Sequence, residues 1–327
     1  MNDSCNSYDE AARLAASGLW FPGAQVELIH YSENHTYKVV DSDVRGVLRV
    51  SRIGYHTLAQ IEGEVEWIRA LSEGTDLLVA TPMESLHGNL VETVELDGGQ
   101  SFVCCMFEYV DGHAPDLSNP DADRKLFATI GRKTAVLHDF CRQWQGAETI
   151  DRPVWDCAAT MGSNADWGSW EKFDGFSASQ IEQLRRCQQQ VEHEVALYGR
   201  DESNFGLVHS DIRFANLIQT ESDICIIDFD DSALSWYMYD IACSLSFIED
   251  RPEVPALVEA WLNGYTSLHS LRSEDIAMIP AFAMMRRLQL TGWLASHGDS
   301  DPVPGFKQGW IDGTMKVAAQ FEAGTLC

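Results

Sequence analysis

Residues 207–231, which read LVHSDIRFANLIQTESDICIIDFDD, contain two apolar runs that each lead into a polar cluster. Such runs are typical of short strands that deliver side chains to one site. The first cluster contains Asp211 and is followed by Asn216, and the second begins at Asp228. A carboxylate such as Asp211 can orient a hydroxyl group and accept its proton, and the oxygens of Asn216 and Asp228 suit Mg²⁺. Together these residues predict phosphoryl transfer from a magnesium-bound nucleotide to a hydroxyl group.

Each piece of this pattern also has an ordinary explanation. Asp and Asn are common turn formers after a strand, and His209 could be a buried histidine that serves only the core. The complete series, H-x-D-x4-N followed after one strand by I-D-F, is the arrangement that protein-kinase-like phosphotransferases use. The order and the strand context together favour the catalytic interpretation over a set of isolated turns.

On these motifs the chain resembles the aminoglycoside phosphotransferase superfamily, and most closely its branch with stress response kinase A and hydroxylysine kinase. Matching pieces run along most of the sequence: SENHTYKV (32–39), VLRVSR (47–52), Leu137-His138, RPVWD (152–156) and WYMYDIACSL (236–245). The resemblance implies an α+β, two-lobed, protein-kinase-like fold. Residues 1–110 would form an N-lobe with a nucleotide-binding antiparallel sheet and a helix. Residues 111–327 would form a mainly helical C-lobe with the catalytic loop, metal site and acceptor pocket.

The activity that the resemblance implies is ATP-dependent, Mg²⁺-requiring transfer of the γ-phosphoryl group to a hydroxyl of a small molecule. Amino alcohols, amino acids, sugars and aminoglycosides are the expected acceptors. A Ser/Thr protein kinase of the stress response kinase A type stays open, because the acceptor pocket lies in a variable region. An inactive nucleotide-binding module also stays open, since Arg49 stands where protein kinases carry Lys and Ser210 where the family commonly has Gly.

The runs VELIH, TYKVV and GVLRV within residues 26–50 predict a strand meander. In a kinase-like N-lobe its first turn covers the nucleotide phosphates, and here that turn contains Ser32 and Asn34 but no glycine. The resemblance gives these two residues nucleotide contacts, although a plain polar turn explains them equally well. Arg49 on the third run is the candidate for binding the α and β phosphates. Arg52 would face the other way if the strand continues.

A helix is expected from the capping box Thr57-x-x-Gln60 to Gly74. At 100° per residue, Glu64 falls in the middle of its apolar stripe, whereas Glu62 and Glu66 point outward. A carboxylate on a buried face needs a partner, and Arg49 is the obvious candidate. The resemblance assigns the pair to positioning the triphosphate; the alternative is that Glu64 reaches solvent at the edge of the stripe.

The resemblance implies further roles. A hairpin over residues 90–110 ends in a hinge where main-chain groups at Glu108 and Val110 would bind adenine. Arg213, between Asp211 and Asn216, could neutralise the transferring phosphoryl group. Asp240 would anchor the catalytic loop through backbone hydrogen bonds, and Ser210 would be tolerated if its backbone angles are ordinary.

Other segments are expected to be structural. The capping-box spacing of Ser7–Glu10 predicts the start of the first helix. Another helix begins at Pro120 and ends in Leu137-His138, where the resemblance makes His138 a packing residue. Helices are also expected over residues 177–198 and 236–245 and through most of 253–325. The tryptophans of the glycine-containing segment 151–176 could stack on a ligand, but packing is the commoner use; Arg286 and Arg287 could reach the cleft.

With 327 residues, 45 % of them hydrophobic, the chain can bury a sizeable core. Its net charge of -27 argues against nucleic-acid and anionic-membrane partners. The acidic surface is compatible with a cationic substrate, although simple solubility explains it as well. Nine cysteines without a C-x-x-C spacing indicate neither a disulfide framework nor a zinc site, and together with the lack of a signal or membrane span they predict a cytoplasmic protein.

Overall fold

The fold was obtained as a computed structural model, which describes residues 2–31, 34–117, 119–297, 307 and 309–327. The chain divides into two units. The first comprises Met1–His113, Glu148–Arg152 and Ile218–Asp230, and the second comprises Ala114–Ala147, Pro153–Leu217 and Asp231–Cys327. The assignment of roles to residues 1–110 and 111–327 stays a prediction.

The first unit is built on an antiparallel sheet. Its strands are β1 (Gln25–Tyr31), β2 (His35–Asp41), β3 (Val44–Val50), β4 (Pro82–Met83), β5 (Val91–Glu95) and β6 (Ser101–Glu108). They lie in the order β1-β2-β3-β6-β4, and β5 also pairs with β6. The meander and the hairpin expected from the sequence are therefore present, and β3 lies beside β6 with Arg49 opposite Cys105.

Helix α1 (Asn2–Ala15) and the π-helical turn Ala16–Trp20 pack on this sheet. Small residues, Ala11 and Ala15 among them, let the helix approach the buried side chains of Tyr37 and Leu48. The helix begins at Asn2, so the expectation that Ser7–Glu10 marks its start is wrong. The capping-box spacing lies inside the helix, where Ser and Glu need no capping role.

Helix α2 (Leu58–Gly74) begins and ends where the sequence predicts. The Thr57 side chain accepts from the backbone N–H of Gln60, and the Gln60 side chain accepts from the N–H of Thr57, which completes the capping box. The short pair β8 (Leu217–Gln219) and β9 (Ile224–Ile226) follows later in the chain. Ile226 joins the first unit through a parallel bridge to Val79.

The second unit is mainly helical. Its helices are α3 (Pro120–Gln143), α4 (Cys157–Met161), α5 (Ala178–Tyr198), α6 (Tyr239–Ser244), α7 (Val254–Thr266), α8 (Ser273–Ala277), α9 (Ile279–Ser296) and α10 (Trp310–Glu322). Strands β7 (Phe205–Val208) and β10 (Ala233–Trp236) pair antiparallel. Short 3₁₀ turns cover Gln145–Glu148, Trp170–Lys172 and Phe214–Asn216. The helix expected over residues 236–245 begins only at Tyr239, because Trp236 ends β10.

Helices α3 and α7 approach closely at two glycines. A Cβ on Gly131 would lie 2.0 Å from the carbonyl oxygen of Trp261, and one on Gly264 would lie 1.9 Å from that of Ala128. Any side chain at either position would force the helices apart. This contact fixes the end of α3 that carries His138, which takes part in the candidate site.

Helix α9 is buried on nearly all sides, Phe282, Met285 and Leu288 included, which is the pattern of a central core helix. The tryptophans of segment 151–176 are buried as well: Trp155 and Trp167 meet edge to face with ring centroids 5.2 Å apart. Packing is therefore their use in this structure. In the part of the chain that is described, no helix is both long and apolar enough to cross a membrane.

Candidate active site

The loop after β7 carries the first polar cluster of the sequence motif. Strand β7 ends at Val208, and His209 and Asp211 follow directly, both buried. The Nδ1 atom of His209 accepts a hydrogen bond of 3.2 Å from the backbone N–H of Asp211. His209 therefore shapes the loop from inside, and the 3₁₀ turn Phe214–Asn216 closes it.

Asp211 is held by three side chains and is 4 % exposed. Its Oδ2 atom accepts from the amide nitrogen of Asn216 at 2.6 Å and from Nε of Arg213 at 3.0 Å. Its Oδ1 atom accepts from Nη2 of Arg286. The predicted neighbours Asp211, Arg213 and Asn216 thus meet in one cluster, to which α9 adds Arg286.

Burial alone would raise the pKa of the Asp211 carboxyl, but the charges of Arg213 and Arg286 outweigh it. The net effect is a pKa below the ordinary value. The carboxylate therefore stays ionised at neutral pH, a state in which it can accept a hydrogen bond from a substrate hydroxyl. It is better suited to orienting that hydroxyl than to removing its proton before the reaction.

Ser210 adopts a left-handed backbone conformation, with a φ of 65°. The condition stated for Ser at this position, ordinary backbone angles, is therefore not met, and the position favours the glycine that Ser replaces. Surrounding contacts hold the strained conformation: its N–H donates to Oδ1 of Asp240 at 2.7 Å, and its carbonyl accepts from Sγ of Cys243 at 2.8 Å. Strain that the surroundings fix in this way is typical of functional loops.

Asp240 anchors the loop through backbone hydrogen bonds, as the family resemblance implies. It is fully buried and accepts from the N–H groups of His209 at 3.2 Å and Ser210 at 2.7 Å. His138 supports it: Nε2 lies 3.0 Å from Oδ2 of Asp240, and Nδ1 lies 3.0 Å from the hydroxyl of Tyr265. Burial lowers the pKa of His138 despite the opposing effect of Asp240. A neutral ring that donates to Asp240 and accepts from Tyr265 fits this geometry.

The oxygens available for a metal suit Mg²⁺. The amide nitrogen of Asn216 donates to the carbonyl and to Oδ2 of Asp211, which leaves its side-chain oxygen as the atom for a cation. Asp228, after β9, is exposed and has a φ of 64°. Among the residues described, no three His, Cys, Asp or Glu side chains form a group that could hold a metal. Mg²⁺ is commonly bound by one or two protein groups together with nucleotide phosphates and water, so this donor chemistry fits.

The predicted ion pair of the first unit is present. Nη1 and Nη2 of Arg49 each donate to a carboxylate oxygen of Glu64 at 2.7 Å. Glu64 is fully buried, whereas Glu62 and Glu66 are exposed, as the helical periodicity predicts. Burial alone would lower the pKa of Arg49, but Glu64 and Asp230 raise it well above its ordinary value. The guanidinium is thus a permanent, firmly held cation.

Sequence reasoning missed the two side chains that surround this pair. Oδ1 of Asp230 lies 3.6 Å from Nη1 of Arg49 and 3.7 Å from Nε2 of His56. Burial lowers the pKa of His56, although Asp230 opposes this shift. The available signal was the position of Asp230 in the acidic run DFDD, two residues after the predicted metal ligand Asp228. His56 gave no signal in the sequence.

Asn34, a predicted nucleotide contact, is fully engaged within the first unit. Its amide nitrogen donates to Oδ2 of Asp230 at 2.8 Å, and its oxygen accepts from the N–H of Arg52 at 3.0 Å. Ser32, the other residue predicted in this turn, lies outside the described residues. Arg52 itself is exposed, which agrees with the choice of Arg49 as the inward cation.

The predicted hinge follows β6. The N–H of Glu108, its last residue, donates to the carbonyl of Thr81 at 2.8 Å, and Val110 is partly buried. Asp111 forms an exposed fork with Arg45. Adenine binding by the main chain of Glu108 and Val110 stays a prediction.

The second unit contains a cavity of about 570 Å³, which we call the Trp310 cavity. Its lining includes Asp116, Arg213, Phe247, Asp250, Arg251 and Trp310. Arg213 connects it with the Asp211 cluster. Arg287 also lines the cavity, but its charge is used: Nη1 donates to Glu249 at 2.8 Å, and the guanidinium lies 3.4 Å from the centroid of the Trp310 ring.

Residues 26–274 match the phosphotransferase enzyme family APH. Amicoumacin kinase of Bacillus subtilis (strain 168) is 26 % identical to the chain over 328 residues, which cover 94 % of each protein. A microcompartment-associated aminopropanol kinase of known structure is 32 % identical, covers 99 % of both chains and has a TM-score of 0.85. An amicoumacin kinase solved in complex with AMP-PNP, Ca²⁺ and Ami is 21 % identical and has a TM-score of 0.77, with 100 % of this chain and 97 % of that one covered.

These findings confirm the predicted superfamily and the α+β kinase-like fold. They also confirm the predicted activity, ATP-dependent transfer of a phosphoryl group to a hydroxyl of a small molecule. ATP and a divalent metal ion, the predicted cofactors, agree with the AMP-PNP and Ca²⁺ of the solved complex. The chain belongs to the APH phosphotransferase enzyme family.

Proposed function

We propose that the acceptor of this kinase is a small amino alcohol, whose ammonium group binds in the Trp310 cavity. The observation that carries the proposal is a pair of acidic side chains, Asp116 and Asp250, in the lining of that cavity. Within the described ranges, no hydrogen bond or ion pair engages either carboxylate. Asp116 is exposed and Asp250 is partly buried, so both carboxylates are accessible to an ammonium ion.

An aromatic ring in the same lining, that of Phe247, adds to the case for a cation. It lies with its centroid 5.7 Å from that of Trp310, whose own ring is already stacked by Arg287. Aromatic faces attract cations through their quadrupole, most strongly where water is excluded. The relative that is 32 % identical over 99 % of both chains is an aminopropanol kinase, which is an amino alcohol kinase by name.

The proposed roles in the transfer follow the residues of the Asp211 cluster. Asp211 orients the acceptor hydroxyl, whose oxygen attacks the γ-phosphorus while the bond to the ADP oxygen breaks and the proton passes to the carboxylate. Arg213 stabilises the negative charge of the phosphoryl group. Asn216 and Asp228 would hold Mg²⁺, and the ion would offset the negative charge of the triphosphate.

The proposed nucleotide contacts lie in the first unit. Arg49, held by Glu64, binds the α and β phosphates, and Ser32 and Asn34 are the other proposed nucleotide contacts. The main chain of Glu108 and Val110 binds the adenine base. The Arg49–Glu64 pair supports this assignment, because a buried guanidinium held by a fork keeps a fixed direction.

A second candidate acceptor is a hydroxy amino acid, and Arg251 favours it. Arg251 also lines the Trp310 cavity, and no hydrogen bond or ion pair engages its side chain in the region described. A guanidinium in the same lining as the two carboxylates could bind the carboxylate of a zwitterionic acceptor. The two candidates differ by a single carboxylate group.

An acceptor screen separates these possibilities. ADP release is measured with 1-amino-2-propanol, with threonine, which adds a carboxylate, and with 1,2-propanediol, which lacks the amine. Sugars, aminoglycosides and a protein mixture complete the panel. We expect the highest kcat/KM with the amino alcohol. Equal turnover of 1,2-propanediol would overturn the ammonium-binding role, and preference for threonine would establish the second candidate.

The proposed location of the protein is a reducing compartment. The cysteines from Cys104 onward carry free thiols, which supports a reducing compartment such as the cytoplasm. ATP and a small acceptor are the proposed partners, and the net charge of -27 argues against nucleic acids and anionic membranes.

A further inference from the structure

Arg286 is a fully buried cation in the middle of α9, and its guanidinium is held on several sides. Nε donates to Oγ of Ser246 at 2.9 Å. Nη1 donates to the carbonyl of Ser210 at 3.3 Å and to Oε1 of Gln289 at 3.0 Å. The guanidinium also lies 5.0 Å from the centroid of the Trp167 ring. These contacts leave it one orientation.

The remaining nitrogen of the Arg286 guanidinium, Nη2, points at Asp211. Nη2 donates to Oδ1 of the carboxylate, while Oδ2 already accepts from Arg213 and Asn216. A carboxylate accepts about two hydrogen bonds per oxygen. Oδ2 is therefore filled, and one acceptor position is left on Oδ1.

We propose that Arg286 is a positioning residue for Asp211, which fixes the plane of its carboxylate and leaves one position on Oδ1 for the acceptor hydroxyl. The inference rests on the proposed role of Asp211. In the transfer, the proton of the hydroxyl passes to Oδ1 as its oxygen bonds to the γ-phosphorus and ADP leaves with the electrons of the broken bond. Arg286 touches neither substrate and acts through Asp211.

Arg213 differs from Arg286 in the freedom of its side chain. Its side chain is 27 % exposed, lies in the lining of the Trp310 cavity and contacts Asp211 through Nε alone. The Arg213 guanidinium can turn from Asp211 to the phosphoryl group without disrupting the surrounding packing. Arg286 is 0 % exposed and cannot move in this way. Of the two arginines, it is therefore the one that keeps its contact with Asp211.

The test begins with Arg286→Lys, which keeps the charge and loses the planar fork. We expect kcat to fall by about a hundredfold, the typical cost of misplacing a reacting group by roughly 1 Å. KM for ATP and the thermal stabilisation by Mg-ATP should stay within about twofold of wild type, because no contact to the nucleotide is proposed. Arg272→Lys is the control, since Arg272 grips Asp275 in the same unit without contacting the site. It should leave kcat unchanged.

A double mutant separates positioning from a general structural role. If Arg286 acts through Asp211, adding Arg286→Lys to Asp211→Asn should not lower the residual kcat further. A merely structural residue would lower it in both backgrounds and would weaken the response to Mg-ATP. Wild-type kcat in Arg286→Lys, or equal losses in both backgrounds, would overturn the proposal.

Two further measurements keep the result clear. If Arg286 variants do not fold, Gln289→Leu removes one acceptor that holds the guanidinium and does not touch Asp211. A loss of kcat of about threefold or more at constant KM for ATP supports the proposal, and unchanged kcat overturns it. Full activity in Asp211→Asn alone would instead show that the proposed role of Asp211 is wrong.

Discussion

Arg49 and Glu64 are joined by two hydrogen bonds of 2.7 Å, and neither side chain is more than 8 % exposed. Removing one partner of such a buried pair leaves an uncompensated charge. We therefore expect Glu64→Ala to lower the free energy of unfolding by about 3 kcal/mol. We also expect KM for ATP to rise by about tenfold, because the guanidinium loses its fixed direction.

Denaturant unfolding and initial-rate kinetics measure these two effects. The matched control is Glu171→Ala, which breaks an exposed fork with Arg185, a pair with side chains 41 % and 48 % exposed. That change should affect neither quantity, because water screens the pair. A wild-type free energy of unfolding in Glu64→Ala would mean that the buried carboxylate does not stabilise the fold.

Asp211→Ala should nearly abolish turnover. Loss of a positioned acid–base group costs about a hundred- to ten-thousand-fold in rate. Binding of Mg-ATP should persist, because the proposed phosphate-binding cation Arg49 is untouched. Rates of ADP release, together with thermal shifts with ATP in the presence and absence of Mg²⁺, test both statements. Turnover at the wild-type rate would refute the assignment of Asp211.

Local patterns predicted much of the first unit. The three strands before α2, the capping box at Thr57 and the burial of Glu64 all follow from short-range periodicity, and each is present. The partner of Glu64 could also be predicted, because Arg49 lies only 15 residues away on the neighbouring strand. The opposite charges of Arg49 and Glu64, the helical periodicity of α2 and the short sequence separation all predict the same pair.

Contacts between distant segments could not be derived in this way. Arg286 meets Asp211 across 75 residues, and Asn34 meets Asp230 across 196. No periodicity links such positions, since the packing of α9 and of segment 218–230 decides them. The positive φ of Ser210 could not be predicted for another reason. The sequence shows that Ser replaces glycine, but it does not show whether the backbone keeps the left-handed conformation.

The strained position of Ser210 predicts a graded series of stabilities. Its φ is 65°, and its hydroxyl is buried without a hydrogen-bond partner in the described structure. Ser210→Gly should raise the free energy of unfolding by about 1 kcal/mol, because glycine has no Cβ to strain. Ser210→Ala keeps the strain and removes only the unpaired hydroxyl, so its gain should be smaller.

Ser210→Val completes the series in the opposite direction. A β-branched side chain tolerates a positive φ poorly, so we expect a loss of about 2 kcal/mol. Denaturant unfolding of the three variants gives the order directly. Equal stabilities for Gly, Ala and Val would show that the backbone at this position relaxes to ordinary angles in solution.

Asp250 in the lining of the Trp310 cavity is proposed to bind the ammonium group of the acceptor. Asp250→Asn removes one of the two carboxylates proposed to bind the ammonium group and keeps the size of the side chain. We expect KM for 1-amino-2-propanol to rise by about tenfold, the equivalent of roughly 1.4 kcal/mol, which is within the range for a hydrogen bond to a charged group. KM for ATP should not change, because ATP does not enter the proposed acceptor cavity.

A neutral acceptor sharpens this test. Any turnover of 1,2-propanediol should be equal in wild type and Asp250→Asn, since the diol has no charge for the carboxylate to bind. Asp312→Asn, an exposed position on α10, controls for the loss of one negative charge from an acidic protein. If Asp250→Asn raised KM for the diol and for the amino alcohol equally, Asp250 would shape the cavity and would not recognise the amine.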